Sequence, residues 1–593
     1  MVNLTIDGIQ VRVPEGTTIM EAAKSAGIYI PHLCYLKGIN EISACKVCMV
    51  EIKGKQKMVT ACSTEVSEGI EIFTSSPRVR QIRRTNVELI LSQHDCNCVT
   101  CVRSGNCSLQ TIAGHLGIYE LPFKTQIPHA DWDNDFPLIR DASKCIKCMR
   151  CVQICDKVQK LGVWDIQNSG SYTTINTTDN EPIACTDCSL CGQCITHCPV
   201  GALKERNDIP AIYDALADPN KITVVQIAPA VRTAWLERVG IPEGIDTEGR
   251  LVAALKKLGF DYVLDTSFAA DVTIMEEGSE LIERLPEIRE SKLPMFTSCC
   301  PGWVSFVKNK YPKLLSRLST TKSPQQIFGA LIKSYFAEKI GVPRENICSI
   351  SIMPCVSKKR EATLDGMSQD GISDVDIVLT TRELVRLLRA DRIDPLKLKE
   401  EPFDNPIGDG TGAGVIFGAT GGVLEAALRT AHYLVTGKEA SAEQFADVRS
   451  SEDEYPDASS NSNVRDEDDE PVYDAGRKEN IFKIGDEKLR TCVVSGLGNA
   501  EALIEDILSG RAEYDFVEVM ACPGGCVSGG GQPIHDNEEW GYGRSKKLYA
   551  LDRERTIRRS HENPLVEKIY EEFLTKPLSE KSEELLHISL SQK

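Results

Sequence analysis

Met520-Ala521-Cys522-Pro523-Gly524-Gly525-Cys526-Val527-Ser528-Gly529-Gly530-Gly531 decides how the chain is read. Cys522 and Cys526, with three residues between them, offer two thiolates to one site. The six glycines and prolines around them let backbone crowd a bulky ligand. The apolar run Phe516–Met520 reads as a buried strand. The pair therefore sits in a loop just beyond a strand end, where open α/β sheets place their ligands. Two upstream stretches have the same form. Thr297-Ser298-Cys299-Cys300-Pro301-Gly302-Trp303 follows Pro294-Met295-Phe296, and Met353-Pro354-Cys355-Val356-Ser357-Lys358 follows the strand-like run 347–352. Three strand-end loops could thus bring Cys300, Cys355, Cys522 and Cys526 to one metal cluster.

The N-terminal third reads as wiring for that cluster. Alternation through 4–13 is broken by Asp7-Gly8, a hairpin turn signal. Thr18-Ile19-Met20-Glu21 then fits a capping box opening a helix, so a β-grasp ferredoxin start is expected. Cys34, Cys45, Cys48 and Cys62 follow as C-x10-C-x2-C-x13-C, which suits a 2Fe–2S cluster or a zinc ion. A basic helix from Pro77 leads to His94-x3-Cys98-x2-Cys101-x5-Cys107. One imidazole and three thiolates can hold a 4Fe–4S cluster, and the neutral ligand tends to raise its reduction potential. The strongest signal is an internal repeat: Cys145-x2-Cys148-x2-Cys151-x3-Cys155, then Cys188-x2-Cys191-x2-Cys194-x3-Cys198-Pro199. In two-cluster ferredoxins the fourth cysteine of each run serves the other cluster. Cys145, Cys148, Cys151 and Cys198 should therefore hold one 4Fe–4S cluster, and Cys155, Cys188, Cys191 and Cys194 a second.

The 24 cysteines are many more than packing needs in a chain of 593 residues, which is long enough for several cores. Met1 runs straight into Val2-Asn3-Leu4-Thr5-Ile6 without a secretory pattern, so a cytoplasmic protein using cysteine for metal and redox chemistry is expected. No run is long enough for a membrane span. A net charge of −18 argues against nucleic acid as a partner. Beyond residue 208 the pattern is ordinary α/β, with strands expected at 222–227, 262–264 and 375–379. Ser495-Gly496-Leu497-Gly498 reads as a plain strand-to-helix turn rather than a dinucleotide site. The stretch 450–470, rich in Ser, Asn, Asp and Glu, reads as a solvated insertion, and the arginines and lysines up to Arg559 as a solvated face.

The loops at 297–303, 353–358 and 518–526 resemble the three signatures of FeFe (iron-only) hydrogenases, and the upstream cluster motifs resemble the large clostridial-type members. Ser528 stands where an asparagine is common in that family. The resemblance implies a multidomain α+β and α/β protein. It would comprise a β-grasp 2Fe–2S ferredoxin domain over 1–76, a 4Fe–4S domain with one histidine and three cysteine ligands over 77–122 and a two-cluster 4Fe–4S ferredoxin domain over 135–207. A two-lobed α/β H-cluster domain would occupy 208–593, with an acidic insertion near 448–472.

The resemblance also implies an H-cluster, a 4Fe–4S cube joined through cysteine to a two-iron unit carrying CO, cyanide and a dithiolate amine. Cys300, Cys355, Cys522 and Cys526 would hold the cube, Cys526 as the bridge, and Cys299 would donate and accept protons. Lys358 and backbone groups near Ser323-Pro324 would serve the cyanide ligands, which are anionic and favour charge-assisted donors. Gln325, Met353, Phe417 and Met520 would pack around the cluster. Glu277, Ser319, Glu280 and Arg284 would form a proton path ending at Cys299. The ligand set then uses nineteen cysteines and His94, and with Cys299 as the proton donor this leaves Cys96, Cys185, Cys348 and Cys492 unassigned. The activity implied is reversible formation of hydrogen from two protons and two electrons, fed by one 2Fe–2S and three further 4Fe–4S clusters. The alternatives are a non-catalytic electron-transfer subunit, since the first three motifs also resemble the iron–sulfur subunit of respiratory NADH dehydrogenase, or an iron–sulfur assembly scaffold. Neither explains Cys299-Cys300, Cys355 and Cys522-x3-Cys526 together with Lys358. Expected partners are a ferredoxin or flavin- and NAD(P)-binding subunits, and maturation proteins that build the two-iron unit.

Overall fold

The computed structural model describes residues 1–237, 248–441, 444–445, 449, 477–485, 487–535 and 540–588. The expected acidic insertion lies outside the described residues apart from Arg449. The chain forms two compact units. One is built mainly from Met1–Thr186 and Gln193–Lys204, the other from Asp187–Gly192, Glu205–Pro533 and Glu539–Lys593.

The first unit opens with the hairpin Val2–Ile6 and Ile9–Val13. Its two-residue turn places Asp7 (φ 46°) and Gly8 (φ 86°) in the left-handed region, the type I′ geometry that matches strand twist. The hairpin extends into a five-stranded sheet ordered Ile9–Val13, Val2–Ile6, Glu71–Phe73, Met49–Ile52, Val59–Thr60. Helix Ile19–Ser25 packs on it, capped by Thr18 Oγ1, which accepts from Glu21 N at 3.3 Å. The Glu21 carboxylate accepts from the Tyr35 hydroxyl at 2.5 Å. Helix Pro77–Leu91 forms as expected, capped by Ser76. Its buried side includes a cation: Arg83 donates to the carbonyls of Val47, Met49 and Thr74 and ties the helix to the cysteine loop.

The second unit holds two four-stranded sheets. The first is wholly parallel, ordered Tyr262–Asp265, Ile222–Ile227, Ile347–Met353, Ile377–Thr380. Parallel strands are covered on both faces, and Ile347–Met353 is buried at every position. In the second sheet Met295–Phe296, Phe516–Met520 and Glu487–Ser495 run parallel and Arg477–Ile484 pairs antiparallel at the edge. The turn after Glu487–Ser495 is a plain strand-to-helix turn, with Gly496 at φ 85° before helix Leu497–Leu508. Cys348 and Cys492 are buried strand residues, packing groups by position.

The C-terminal arginines are not all a solvated face. Arg544, on helix Gly541–Glu554, is 5% exposed, forks onto Glu237 at 2.7 and 2.6 Å and donates to Val527 O at 2.7 Å. Arg558 pairs with Asp552 and Arg555 with Glu248. Charge runs read as solvated when no partner is near in sequence, and here Glu237 and Glu248 come from distant segments. The tail likewise carries structure. Helix Glu580–Leu586 buries Leu585 and Leu586, and the Thr321–His587 bridge pins the chain beyond it.

Candidate active site

Three of the parallel strands end at one cavity of about 780 Å³ of atom-free space. Phe296 leads to Cys299 and Cys300, Met353 to Cys355, and Met520 to Cys522 and Cys526, and all five cysteines line the cavity. So do Lys358, Pro324, Gln325, Met353, Phe417 and Met520. The loops close tightly because glycine allows it. Gly531 N donates to Pro354 O at 2.7 Å, and a Cβ on Gly531 would lie 2.8 Å from Pro354 C. The same wall includes Ala228, Pro229 and Ala230, beyond the strand Ile222–Ile227. Sequence reading missed these three. Their only signal was a strand end followed by small residues.

The donor set fits a multi-iron cluster. Burial pushes the Cys300 thiol up, and burial followed by the Cys300 charge pushes Cys355 up to about 12. Cys522 and Cys526 move the same way for the same first cause. Thiols so placed would give their protons up to solvent on binding a positive centre, because bound metal inverts the local preference. Among the described residues no three His, Cys, Asp or Glu groups close on one single-ion position. The sulfurs instead ring a space far larger than one ion. Cys299 is raised above its ordinary range by burial and then by the charge of Glu277.

Lys358 is held by a residue that sequence reading missed. Glu361 accepts from Lys358 Nζ at 3.1 and 2.9 Å, from Ser323 Oγ at 3.0 Å and from Gln325 Nε2 at 3.2 Å. Burial alone lowers an ammonium, but the Glu361 charge and hydrogen bonds outweigh it and Lys358 is raised. Lys358 Nζ also donates to Cys299 O at 3.1 Å. One carboxylate thus orients three residues assigned to the cluster pocket. Its only sequence signal was an acid three residues after Lys358 on a short helix.

Glu277, Glu280 and Arg284 lie on the 26-residue helix Thr266–Ser291. Glu277 is 1% exposed and Glu280 6%, which is rare for carboxylates without a specific use. Glu280 accepts from Ser319 Oγ at 2.6 Å, from Thr320 N at 3.0 Å and from Arg284 at 2.9 Å. The assigned relay residues therefore touch in the order Ser319, Glu280, Arg284, with Glu277 beside Cys299 electrostatically.

In the first unit, Cys34 lies within hydrogen-bond reach of Cys45 and Cys62, and Cys48 within reach of Cys62. His94 is 8% exposed and its Nδ1 has no hydrogen-bond partner, as expected of a ring kept for a metal. Burial followed by the Lys144 charge lowers it, favouring the neutral ring. Cys98, Cys101 and Cys107 are half-buried nearby in sequence, and Cys96 is exposed. A second cavity, of about 420 Å³, is lined by Cys145, Cys148, Cys151 and Cys198, the four that the crossed rule groups together. Cys155 and Cys194 belong to this unit, whereas Cys188 and Cys191 belong to the other. There Cys522 Sγ approaches Cys191 O to 3.6 Å.

Residues 221–530 match the iron only hydrogenase large subunit, C-terminal domain. The chain belongs to the FeFe hydrogenases. The rest of this hydrogenase matches the modules its cysteines suggest: a 2Fe-2S iron-sulfur cluster binding domain over 1–77, an NADH-ubiquinone oxidoreductase-G iron-sulfur binding region over 83–122 and an NADH-quinone oxidoreductase subunit 3 ferredoxin-like domain over 137–204. Residues 543–592 match the iron hydrogenase small subunit, here part of the same chain. Over 99% of its length it is 45% identical to an NADP-reducing hydrogenase subunit of Solidesulfovibrio fructosivorans, covering 98% of that protein. It is 37% identical to iron hydrogenase 1 of Clostridium pasteurianum over 99% of both chains. An apo FeFe hydrogenase structure from Chlamydomonas reinhardtii aligns at TM-score 0.53 and 41% identity, over 63% of this chain and 97% of that one. This hydrogenase therefore carries an H-cluster domain served by 2Fe–2S and 4Fe–4S domains. Among the described residues no helix is long and apolar enough to cross a membrane.

Proposed function

We propose that Cys300, Cys355, Cys522 and Cys526 hold the H-cluster, that Cys299 moves protons to and from it, and that Glu277, Ser319, Glu280 and Arg284 carry protons between Cys299 and solvent. The supporting observation is the convergence of five cysteines and Lys358 on one cavity at three strand ends. When bound, the H-cluster supplies the iron chemistry that makes and breaks the H–H bond. Lys358, fixed by Glu361, presents a charge-assisted donor to the anionic ligands. Met353, Phe417 and Met520 exclude water while staying adaptable. Cys299 Sγ holds a proton because its buried thiol resists ionisation. Glu280, gathering donors from Ser319, Thr320 and Arg284, is placed to pass a proton inward through the Ser319 hydroxyl.

We take the electron path to end at Cys522, and its 3.6 Å approach to Cys191 O supports that reading. Further out we assign one 2Fe–2S cluster to Cys34, Cys45, Cys48 and Cys62, and 4Fe–4S clusters to His94 with Cys98, Cys101 and Cys107 and to the crossed ferredoxin sets. The domains are taken as 1–76, 77–122, 135–207 and 208–593. The S. fructosivorans relative is by name an NADP-reducing subunit, which favours cytoplasmic partners that bear flavin and bind NAD(P) over a free ferredoxin. Purification under native, anaerobic conditions tests this. Co-purifying flavin-bearing chains and hydrogen-dependent NAD(P) reduction support the complex, and a lone chain active only with ferredoxin refutes it.

Cys299→Ser tests the site. Infrared bands of CO and cyanide should survive while hydrogen turnover falls by about 100-fold or more, the scale of a lost proton-transfer group. Retained turnover would remove Cys299 from the proton path.

A further inference from the structure

His587 lies near the C-terminus, and its imidazole is a bridge between two buried carboxylates. Its backbone is pinned beside Thr320–Lys322: Lys322 N donates to Leu586 O at 2.8 Å and Ile588 N to Thr320 O at 3.0 Å. Its side chain is 7% exposed. Nδ1 lies 2.8 Å from Thr320 Oγ1, and Thr320 Oγ1 donates to Glu280 Oε1 at 3.2 Å. Nε2 lies 3.1 Å from Glu276 Oε2. Glu276 is fully buried and accepts from Tyr570 OH at 2.6 Å, from Leu578 N at 2.9 Å and from Ser582 Oγ.

With Glu276 and Glu280 both ionised, the hydrogen-bond arithmetic selects one proton state. A hydroxyl has one proton to give. Thr320 can donate to Glu280 only if it accepts from His587, which needs a proton on Nδ1. With Glu276 ionised it can only accept, so Nε2 donates as well. Both ring nitrogens carry protons only in the imidazolium. A neutral ring must either turn the Thr320 hydroxyl away from Glu280 or set a bare nitrogen against a carboxylate.

We propose that His587 is a proton-holding side branch of the relay, exchanging its Nδ1 proton with Glu280 through the Thr320 hydroxyl while Glu276 holds the ring. The exchange balances. The Nδ1–H bond breaks as an O–H bond forms on Thr320, and the original Thr320 O–H bond breaks as one forms on Glu280. Imidazolium and carboxylate become neutral imidazole and carboxylic acid, with no electrons moved. The C-terminal segment is thereby part of the proton machinery rather than a cover. The charged or titratable groups facing the ring are Glu276 and, one turn on, Glu280 with Arg284 from helix Thr266–Ser291, and Tyr570 through Glu276. Lys322, on the paired segment, is engaged by Asp374 at 2.8 Å, and Glu583 on its own helix is exposed.

This inference rests on Glu280 belonging to the relay, so the experiment carries a Glu280→Gln control. In the intact, cluster-loaded enzyme, hydrogen production by wild type and by His587→Gln is compared at about pH 6 and about pH 9, in proton-rich and proton-poor solution. The wild-type to variant ratio should be about tenfold at the lower pH and near one at the higher. A purely structural histidine would give one ratio at both values, and equal ratios overturn the branch. Thr320→Val should reproduce the pH signature with the histidine intact, and Thr320→Ser should restore wild-type behaviour; failure of either also overturns it. A readout independent of turnover is the infrared carboxylic C=O stretch lost in Glu280→Gln. It should change between these two pH values in wild type but not in His587→Gln. If Glu280→Gln itself leaves turnover unchanged, the relay reading fails first. If it abolishes turnover while His587→Gln is silent, only the branch fails.

Discussion

Replacing Glu361 by leucine should be among the most destabilising changes outside the cysteines. The carboxylate neutralises Lys358 at 2.9 Å in a site where Glu361 is 4% exposed and Lys358 9%. Removing one partner of a buried pair leaves the other charge uncompensated and costs about 3–5 kcal/mol. Ser323 and Gln325 lose their acceptor as well, and bonds to charged groups are worth about 1.5–3 kcal/mol each, which places the loss at the upper end. At about 2 °C per kcal/mol for a unit of this size, the thermal midpoint should fall by about 6–10 °C. The assay is anaerobic circular dichroism at one fixed heating rate on wild type, Glu361→Leu, Lys358→Met and the double variant. The double variant should regain much of the loss, because it removes both charges, and the cycle should give a coupling of about 3 kcal/mol. A drop under about 2 °C for Glu361→Leu, or additive losses in the double variant, would refute the argument that this carboxylate anchors Lys358.

Three further outcomes are expected. In Gly531→Ala the new methyl meets Pro354 backbone at 2.8 Å, so the 353–358 and 522–531 loops must part; iron bound per chain should fall, and full iron loading would contradict the close-approach reading. His94→Cys should move the potential of its own cluster to a more negative value by adding an anionic ligand, and unchanged potentiometric titrations would take His94 off the ligand set. Burial pushes Asp271 up to about 6 despite bonds from Thr411, Ser560 and Asn563. A raised carboxyl binds its proton more tightly folded than unfolded, so stability is present below the unfolded value of about 3.9 and is lost as pH rises through the folded one. Between about pH 5 and 7 wild type should lose about 1 kcal/mol relative to Asp271→Asn, and a constant gap between their thermal midpoints would contradict the shift.

The iron–sulfur modules were legible because cluster chemistry needs thiolates at short, repeated spacings, and spacing survives in a bare sequence. Cys145, Cys148 and Cys151 announce a cluster within seven residues. The buried acids were less legible. Glu277 and Glu280 read as one helix face, but only the family resemblance marked that face as functional, since any solvated helix has the same pattern. Arg544 was misread as solvent-facing because its partner Glu237 is 307 residues away.

The sequence alone determined the modular order, the strand-end cysteine loops and the doubled ferredoxin-type cysteine run. Each of these is a local relation between near neighbours, fixed by helix and strand periodicity and by the reach of a thiolate. The tertiary structure decided which carboxylate serves which group. Glu361 orients Ser323 from 38 residues away, and Glu276 meets His587 across 311. Burial strips water from these groups and leaves each charge dependent on partners that chain folding alone brings within hydrogen-bond distance.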